Sequence, residues 1–506
     1  MDQMSHMLNG EKMNYEHVCS LADEIKQEEL LRQRKQLELF QLIGGPTVIT
    51  AFILTFCLFK NYSSIMMIFA VATLTGYVYY DAKKCGKIWK KSNWLCVFVM
   101  GLLAVSDFLT ADKVVIVCNN IGIFLIFGLL VMRTFLGDVV WNLHRGIHAL
   151  KAMLISIFTG GTGIKTGLKL SMKEDKKTEN KNMQYIIIGA LIAIPIIVIT
   201  GALLGSADEM FGKIFREMFE RMDFDFGTCF WIVIMFLMFA NILYGTMQYV
   251  SDRNNLKALS EKKQYEAVVA ITVLVPMAIM YVVFSMMQLL FLFGGALPES
   301  YDYASYARTG FFQLLAVCII NLIMVLVVQS NFKENKVVKW LLAIVSGCTY
   351  VMLASSAYRM ILYVQAYNLT RLRILVLWAL VLIAVLFVGV VTRIFKTGFP
   401  LLKYMIVSVS ICYLFLSFSH MDYYIVKYNT YAGETYGVSV DYDYLNKLSM
   451  DAADAIREFD EQILFRPYFE RMNDEADVSI RTFNLSRYKA HKIKNKHDEI
   501  MQKIYQ

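Results

Sequence analysis

The stretch LRILVLWALVLIAVLFVGVVT, residues 372–392, decides the class of fold. After its one arginine it runs through nineteen residues without a charge, the length an α-helix needs to cross about 30 Å of hydrocarbon. Similar runs lie at 41–59, 62–80, 93–110, 113–132, 184–205, 228–250, 266–293, 309–329, 338–358 and 400–419. The composition agrees. Of 506 residues, 57% are hydrophobic and 18% charged, too few charges for an ordinary soluble fold. The sequence therefore predicts an all-α, polytopic membrane protein with about eleven transmembrane helices.

Two connections leave alternatives. Only Thr110-Ala111-Asp112-Lys113 separates the third and fourth runs, which read either as two spans or as a re-entrant pair. Residues 360–367 either extend the ninth helix or lie along the interface.

Orientation follows from lysine and arginine, which favour cytoplasmic loops. With the N-terminus inside, the inner loops carry roughly 23 basic residues against roughly 9 in the outer ones. This places the N-terminus inside and, with an odd number of spans, the C-terminus outside. The expected organisation is a charged cytoplasmic helix over 1–40 and a four-span part over 41–132. A basic cytoplasmic linker with an interfacial helix follows over 133–183, then a seven-span core over 184–419 and an extracytoplasmic helical tail over 420–506. No cleavable signal precedes the first run. The net charge of +8 is spent on inner loops and calls for no nucleic-acid partner. The nine cysteines lie mostly inside the runs, and none falls in the outer tail.

Catalytic and metal-binding patterns are weak. Gly160-Gly161-Thr162-Gly163-Ile164-Lys165-Thr166-Gly167 lacks the glycine a phosphate loop needs before Lys-Thr, and reads as a flexible linker. His144 and His148 stand four apart without a third ligand, beside Trp141, on what reads as a basic interfacial helix. No metal, cofactor or catalytic residue is assigned, and an enzyme is the least favoured class.

Charges stop near the ends of the runs, as with Asp107, Glu266 and Arg359, whereas a coupled transporter keeps an ionisable group inside. The interiors offer Asn119, Asn120, Asn241, Gln288, Asn321, Ser355 and Ser356, which read as contacts between helices rather than a substrate path. Pro195 and Pro276 read as kinks. Outside, residues 206–222 read as an amphipathic helix, and Tyr301, Tyr306 and Arg308 form an interfacial belt. Arg359, Arg371 and Arg373 sit outside against the orientation rule. Together with that belt they form the candidate binding cluster at one outer boundary.

Beyond Asp422, Leu445, Leu448, Ala452, Ala455 and Ile456 share a helical face after Asp441. A second helix is expected over about 474–504. Its basic residues Arg481, Arg487, Lys492, Lys494, Lys496 and Lys503 suit an anionic lipid or a wall polymer.

Four strings carry a family resemblance: SADEMF (206–211), YARTGFFQLLAVCIINL (306–322), RMILYVQAYNLTRLR (359–373) and YNTYAGETYGVSVDYDYLNKLSMDAADAI (428–456). They resemble a bacterial family of multi-spanning membrane proteins catalogued only as a domain of unknown function, from about the second span to about residue 456. Where members often read Tyr-Gly-Leu-Thr, this chain has Tyr367-Asn368-Leu369-Thr370, and both glycine and asparagine tolerate a left-handed turn. His420 stands near Asp422 where members commonly carry asparagine. The resemblance supports the membrane class and implies no reaction. The sequence favours a non-enzymatic sensing or binding component of the cell envelope, resident in the plasma membrane, with a small-molecule transporter as the alternative.

Overall fold

The computed structural model describes residues 2–60, 64–137, 143–175, 189, 193, 196, 200, 204, 226–251, 265–294, 310–459, 462–472 and 480–505. The described residues are helical, apart from turns and one isolated bridge between Tyr265 and Phe332. In chain order the long helices are α1 (Asp2–Leu58), α2 (Met66–Lys84), α3 (Asn93–Leu109), α4 (Lys113–Leu136), α5 (Leu143–Asp175) and α6 (Phe226–Ser251). They continue as α7 (Ala267–Gly294), α8 (Phe311–Asn331), α9 (Lys336–Tyr367), α10 (Arg371–Phe395), α11 (Leu401–Ser417) and α12 (Met421–Tyr436). The tail adds α13 (Tyr442–Leu445), α14 (Ala453–Arg457), α15 (Arg466–Glu470) and α16 (Leu485–Tyr505), with 3₁₀ turns between them.

Among the described residues, seven helices are long and apolar enough to cross a membrane: Glu29–Leu58 of α1, α4, Gly227–Ser251 of α6, Ala267–Leu290 of α7, α8, α9 and α10. An eighth arises if α11 and α12, bent by 58° at their junction, form one broken span. The expected eleven are therefore reduced among the described residues. The second run forms α2, which ends in Asp81, Lys83 and Lys84 and is not among the seven. The third run forms α3, whose 17 residues extend roughly 26 Å, short of a full crossing. The fifth run falls almost wholly outside the described residues. Residues 360–367 extend α9 without a break.

The chain divides into two compact units, one of Met1–Phe59, Thr73–Trp89 and Lys151–Arg253, the other of Lys60–Ala72, Lys90–Leu150 and Asn254–Gln506. In the first unit α1 packs along α6, with Phe40 edge-on to Tyr244 at 6.3 Å. The stretch 160–167, expected to be a flexible linker, lies within α5. Its glycines meet α6 and α1 closely. A Cβ at Gly160 would stand 2.0 Å from the Asn241 carbonyl oxygen, one at Gly163 2.1 Å from Gln248 Oε1, and one at Gly167 2.6 Å from Phe40. Glycine is used here for close helix approach, as small residues are in membranes, rather than for disorder.

In the second unit α7, α8, α9 and α10 bury a common core that includes Leu274, Cys318, Val325, Val345, Met352 and Phe387. Their outward faces are equally apolar, as at Val268, Ile279, Leu290 and Val381. A helix apolar on both faces suits lipid on one side and protein on the other. The tail has its own core of Leu445, Leu448, Ala452, Ile456, Phe465, Tyr468, Phe469 and Ala490, closed by Ile425 and Val426 of α12. Leu369 and Ile374 from the α9–α10 corner pack against it, so the tail is seated on membrane helices of its unit. The face read from 445 to 456 is buried as expected, but it is broken into α13, a 3₁₀ turn and α14, with Asp441 accepting from Tyr444 N at 2.9 Å. The last helix begins at Leu485 rather than near 474.

Candidate functional site

Three connections of the second unit converge with the tail in one polar layer. The first is the α3–α4 turn. Asp112 starts α4 by accepting from Val114 N at 2.9 Å, and Thr110, Ala111 and Asp112 are all buried. Asp451 of the tail serves this turn: it accepts from Ala111 N at 2.7 Å and from the hydroxyls of Thr110 and Ser486. His420 Nδ1, at the α11–α12 junction, stands 3.6 Å from the same carboxylate. Asn484 donates to the Asp107 and Thr110 carbonyls, both at 2.9 Å, and so closes the turn from the side of α16.

The second connection is the α9–α10 corner. Asn368 takes φ = 68° with an extended ψ of 176°, a positive-φ conformation that favours glycine, and donates to Ser439 O at 2.8 Å. Asn429 of α12 grips the next residue from both sides, donating to Leu369 O at 3.0 Å and accepting from Leu369 N at 2.7 Å. Arg371 then opens α10. Its guanidinium meets Asp422 in a two-toothed pair, with Nε donating at 2.6 Å, and lies 3.3 Å from Asp112. Asp422 also accepts from Ser449 N at 2.7 Å, and the Tyr444 hydroxyl accepts from Arg371 N at 3.0 Å.

One cation thus lies between two buried carboxylates, while Asp451 is held chiefly by neutral donors. Arg371 is 28% exposed and Asp422 not at all, so the pair sits at a boundary where charge interactions are strong. Burial pushes the Asp112 carboxyl above its ordinary range, against the pull of Arg371. Burial acts the same way on Asp451, but His420, Ser486, Thr110 and the Ala111 amide outweigh it and hold the carboxyl below its ordinary value. Such a layer can lock, and can respond to charge. Among the described residues no group of three or more His, Cys, Asp or Glu is arranged to hold a metal ion.

Of the residues singled out in sequence, Arg371 belongs to this layer and the other two arginines do not. Arg373 turns back to cap α9, donating to the Tyr367 and Asn368 carbonyls and lying 4.2 Å over the Tyr363 ring. Arg359 is no terminal residue: α9 continues about two turns beyond it, and its buried side chain donates to Gln288 Oε1 of α7 at 3.0 Å. Tyr301, Tyr306 and Arg308 lie outside the described residues, as do Trp141, Pro195 and residues 206–222. His144 and His148 fall on α5, with side chains outside the described set.

The interior amides join helices. Asn119 donates to Asp107 Oδ1 at 2.8 Å and accepts from Tyr413 at 2.7 Å and Ser417 at 2.8 Å, tying α4 to α3 and α11. Asn321 donates to Thr349 at 3.0 Å, Gln288 also accepts from Ser355 at 2.6 Å, and Asn241 accepts from Gly161 N. Asn120 bonds its own helix at Ile116 O. Sequence reading missed Asp112, Asp422 and Asp451 as partners. The available signal was that Asp112, Asp422 and Arg371 flank apolar runs, where charge is costly unless paired.

Helices apolar on both faces, crossing-length spans and interhelical polar contacts define an integral, multi-pass membrane protein. Within that class, the chain belongs to the family described as Domain of unknown function (DUF4153), which matches residues 96–459. The match covers most of the second unit and the polar layer up to Asp451. No curated protein and no solved structure matches the chain.

Proposed function

We propose that the protein is a non-enzymatic envelope component of the cell membrane, N-terminus inside and tail outside, whose tail binds a polyanion and bears on the spans beneath it. The observation that carries this reading is the seating of the tail. Its core includes Leu369 and Ile374, and its neighbour Asp422 holds Arg371, so a ligand on the tail acts directly on α4, α9 and α10. The binding face is a stripe on α16. Lys489, Lys492 and Lys496 are exposed at helical spacing, whereas Lys494, expected among the ligand-facing bases, is buried. Three lysines on one face suit headgroup phosphates or an anionic wall polymer.

A transporter is the second reading. It is favoured by Arg359, Gln288 and Ser355, which set a charged group and its partners inside the α7–α9 contact.

The test combines topology with binding. A single cysteine at Lys496 reacts with an impermeant reagent in intact cells, and the full-length protein in nanodiscs binds phosphatidylglycerol vesicles or soluble poly(glycerol phosphate). Vesicle binding alone identifies the lipid as the source of phosphate. Replacing Lys489, Lys492 and Lys496 by glutamate abolishes binding, and raising salt weakens it in the wild type. A protected residue 496, or binding indifferent to the triple substitution, sinks the proposal.

A further inference from the structure

The first unit holds a carboxyl group buried away from water. Asp81 lies on the inward face of α2 with Tyr77, Val78 and Ala82, and no part of it is exposed. Neither carboxyl oxygen has a hydrogen-bond partner within normal distance among the described residues. An ionised carboxylate in such a place has lost its water without a close hydrogen bond from those residues to replace it, a costly way to bury this group.

The surrounding hydroxyls form a chain. Thr47 of α1 donates to the Ile43 carbonyl at 2.7 Å. The Tyr77 hydroxyl lies 3.0 Å from the Thr47 oxygen, and either of the two can donate. Tyr77 is also near enough to Asp81 to interact with it, although neither carboxyl oxygen has a donor at normal hydrogen-bond distance among the described residues. The chain therefore runs either way: with the phenol proton on Thr47 the Tyr77 oxygen can accept from a protonated Asp81, and with Thr47 donating to Tyr77 the phenol turns toward a carboxylate.

The other charged or titratable groups lie farther off. Lys84, one turn along α2, pulls toward the charged form of Asp81 but is exposed and lies 4.9 Å over the Tyr80 ring. Cys85 follows on the same helix, Tyr244 faces Tyr77 from α6, and α1 contributes the Thr47 hydroxyl.

We propose that Asp81 is a proton-binding site: at neutral pH its carboxyl carries a proton and points it into the Tyr77–Thr47–Ile43 chain. Binding is the simple addition of H⁺ to a carboxylate oxygen, and release returns it to solvent with the hydroxyl chain reversing direction. All the groups lie on α1, α2 and α6, so the site is independent of the tail reading.

The experiment is an attenuated-total-reflection infrared pH titration of the full-length protein in nanodiscs. The wild type shows a carboxylic C=O band at about pH 6 that fades by about pH 9 to 10, above the usual aspartate range. Asp81→Asn removes one component of that band, while Asp107, the other fully buried acid with an oxygen unpartnered among the described residues, contributes a separate component that Asp107→Asn removes and Asp81→Asn keeps. Asp81→Glu and Tyr77→Phe retain the band with a shifted frequency and midpoint, which covers the case where asparagine prevents folding. No difference between the wild type and Asp81→Asn, or a carboxylate band at every pH, overturns the proposal. Loss of the C=O band on adding sodium at fixed pH overturns it in favour of a metal cation as the ligand.

Discussion

Replacing Asp422 by asparagine keeps the shape of the side chain and its acceptor for the Ser449 amide, but removes the charge that meets Arg371. Asp422 is fully buried and Arg371 nearly three-quarters so, which makes this a buried pair rather than a surface one. Removing one partner of a buried pair costs about 3–5 kcal/mol. The lower end applies here, since Arg371 keeps Asp112 at 3.3 Å as a second counter-charge. A loss of about 3 kcal/mol raises the undocked fraction of the tail about 150-fold. Where opening is fast relative to cleavage, proteolysis follows that fraction. Limited proteolysis of the protein in nanodiscs therefore shows tail cleavage faster by about two orders of magnitude in Asp422→Asn. The combined Arg371→Met and Asp422→Leu variant, with no charge left unpaired between them, falls nearer the wild type. Cleavage within about threefold of wild type in Asp422→Asn, a change below about 0.7 kcal/mol, refutes the role given to the pair.

Three further outcomes are expected. Gly160→Ala lowers the melting temperature of the detergent-solubilised protein by the equivalent of about 1–3 kcal/mol, because its Cβ meets a backbone oxygen that cannot rotate away, whereas Gly101→Ala, with open space around it, is neutral or stabilising. Asn119→Leu removes the donor to Asp107 Oδ1 and the acceptor shared by the Tyr413 and Ser417 hydroxyls at once and costs about 1–3 kcal/mol, read from the same melting curves. Asp451, whose carboxyl is held below its ordinary value, contributes stability that is complete above about pH 4 and is lost as the pH falls through the depressed value. Acid-induced release of the tail, followed by proteolysis against pH, therefore loses this component in Asp451→Asn, which is already loosened at neutral pH.

The membrane class was legible because hydrophobic length is a local property, and seven of the predicted runs reappear as crossing-length helices. At Asn368 the positive φ was legible from the residue type, but its extended ψ of 176° differs from the left-handed turn that asparagine announces. Segment α2 was over-read. Its apolar run is real, but Asp81, Lys83 and Lys84 close it within the same helix. The glycines of 160–167 misled because glycine suits both disorder and close packing, and only the partner surface at Asn241, Gln248 and Phe40 tells which. The polar layer was hidden for a different reason. Arg371, Asp422, Asp112 and Asp451 are far apart in sequence, and no local pattern says that an arginine flanking one span will meet acids flanking two others.

That separation bears on how the protein is made. The amide of Ala111 and the carbonyls of Asp107 and Thr110 are satisfied by Asp451 and Asn484, which follow 340 to 377 residues later. At 5–20 residues per second, the ribosome needs roughly 20–70 s to supply them. For that interval the α3–α4 turn exists with its partners not yet synthesised. A chain that stops before Asp451 lacks both of these partners, and one that stops between Asp451 and Asn484 still leaves the Asp107 and Thr110 carbonyls without the amide that meets them in the full-length protein.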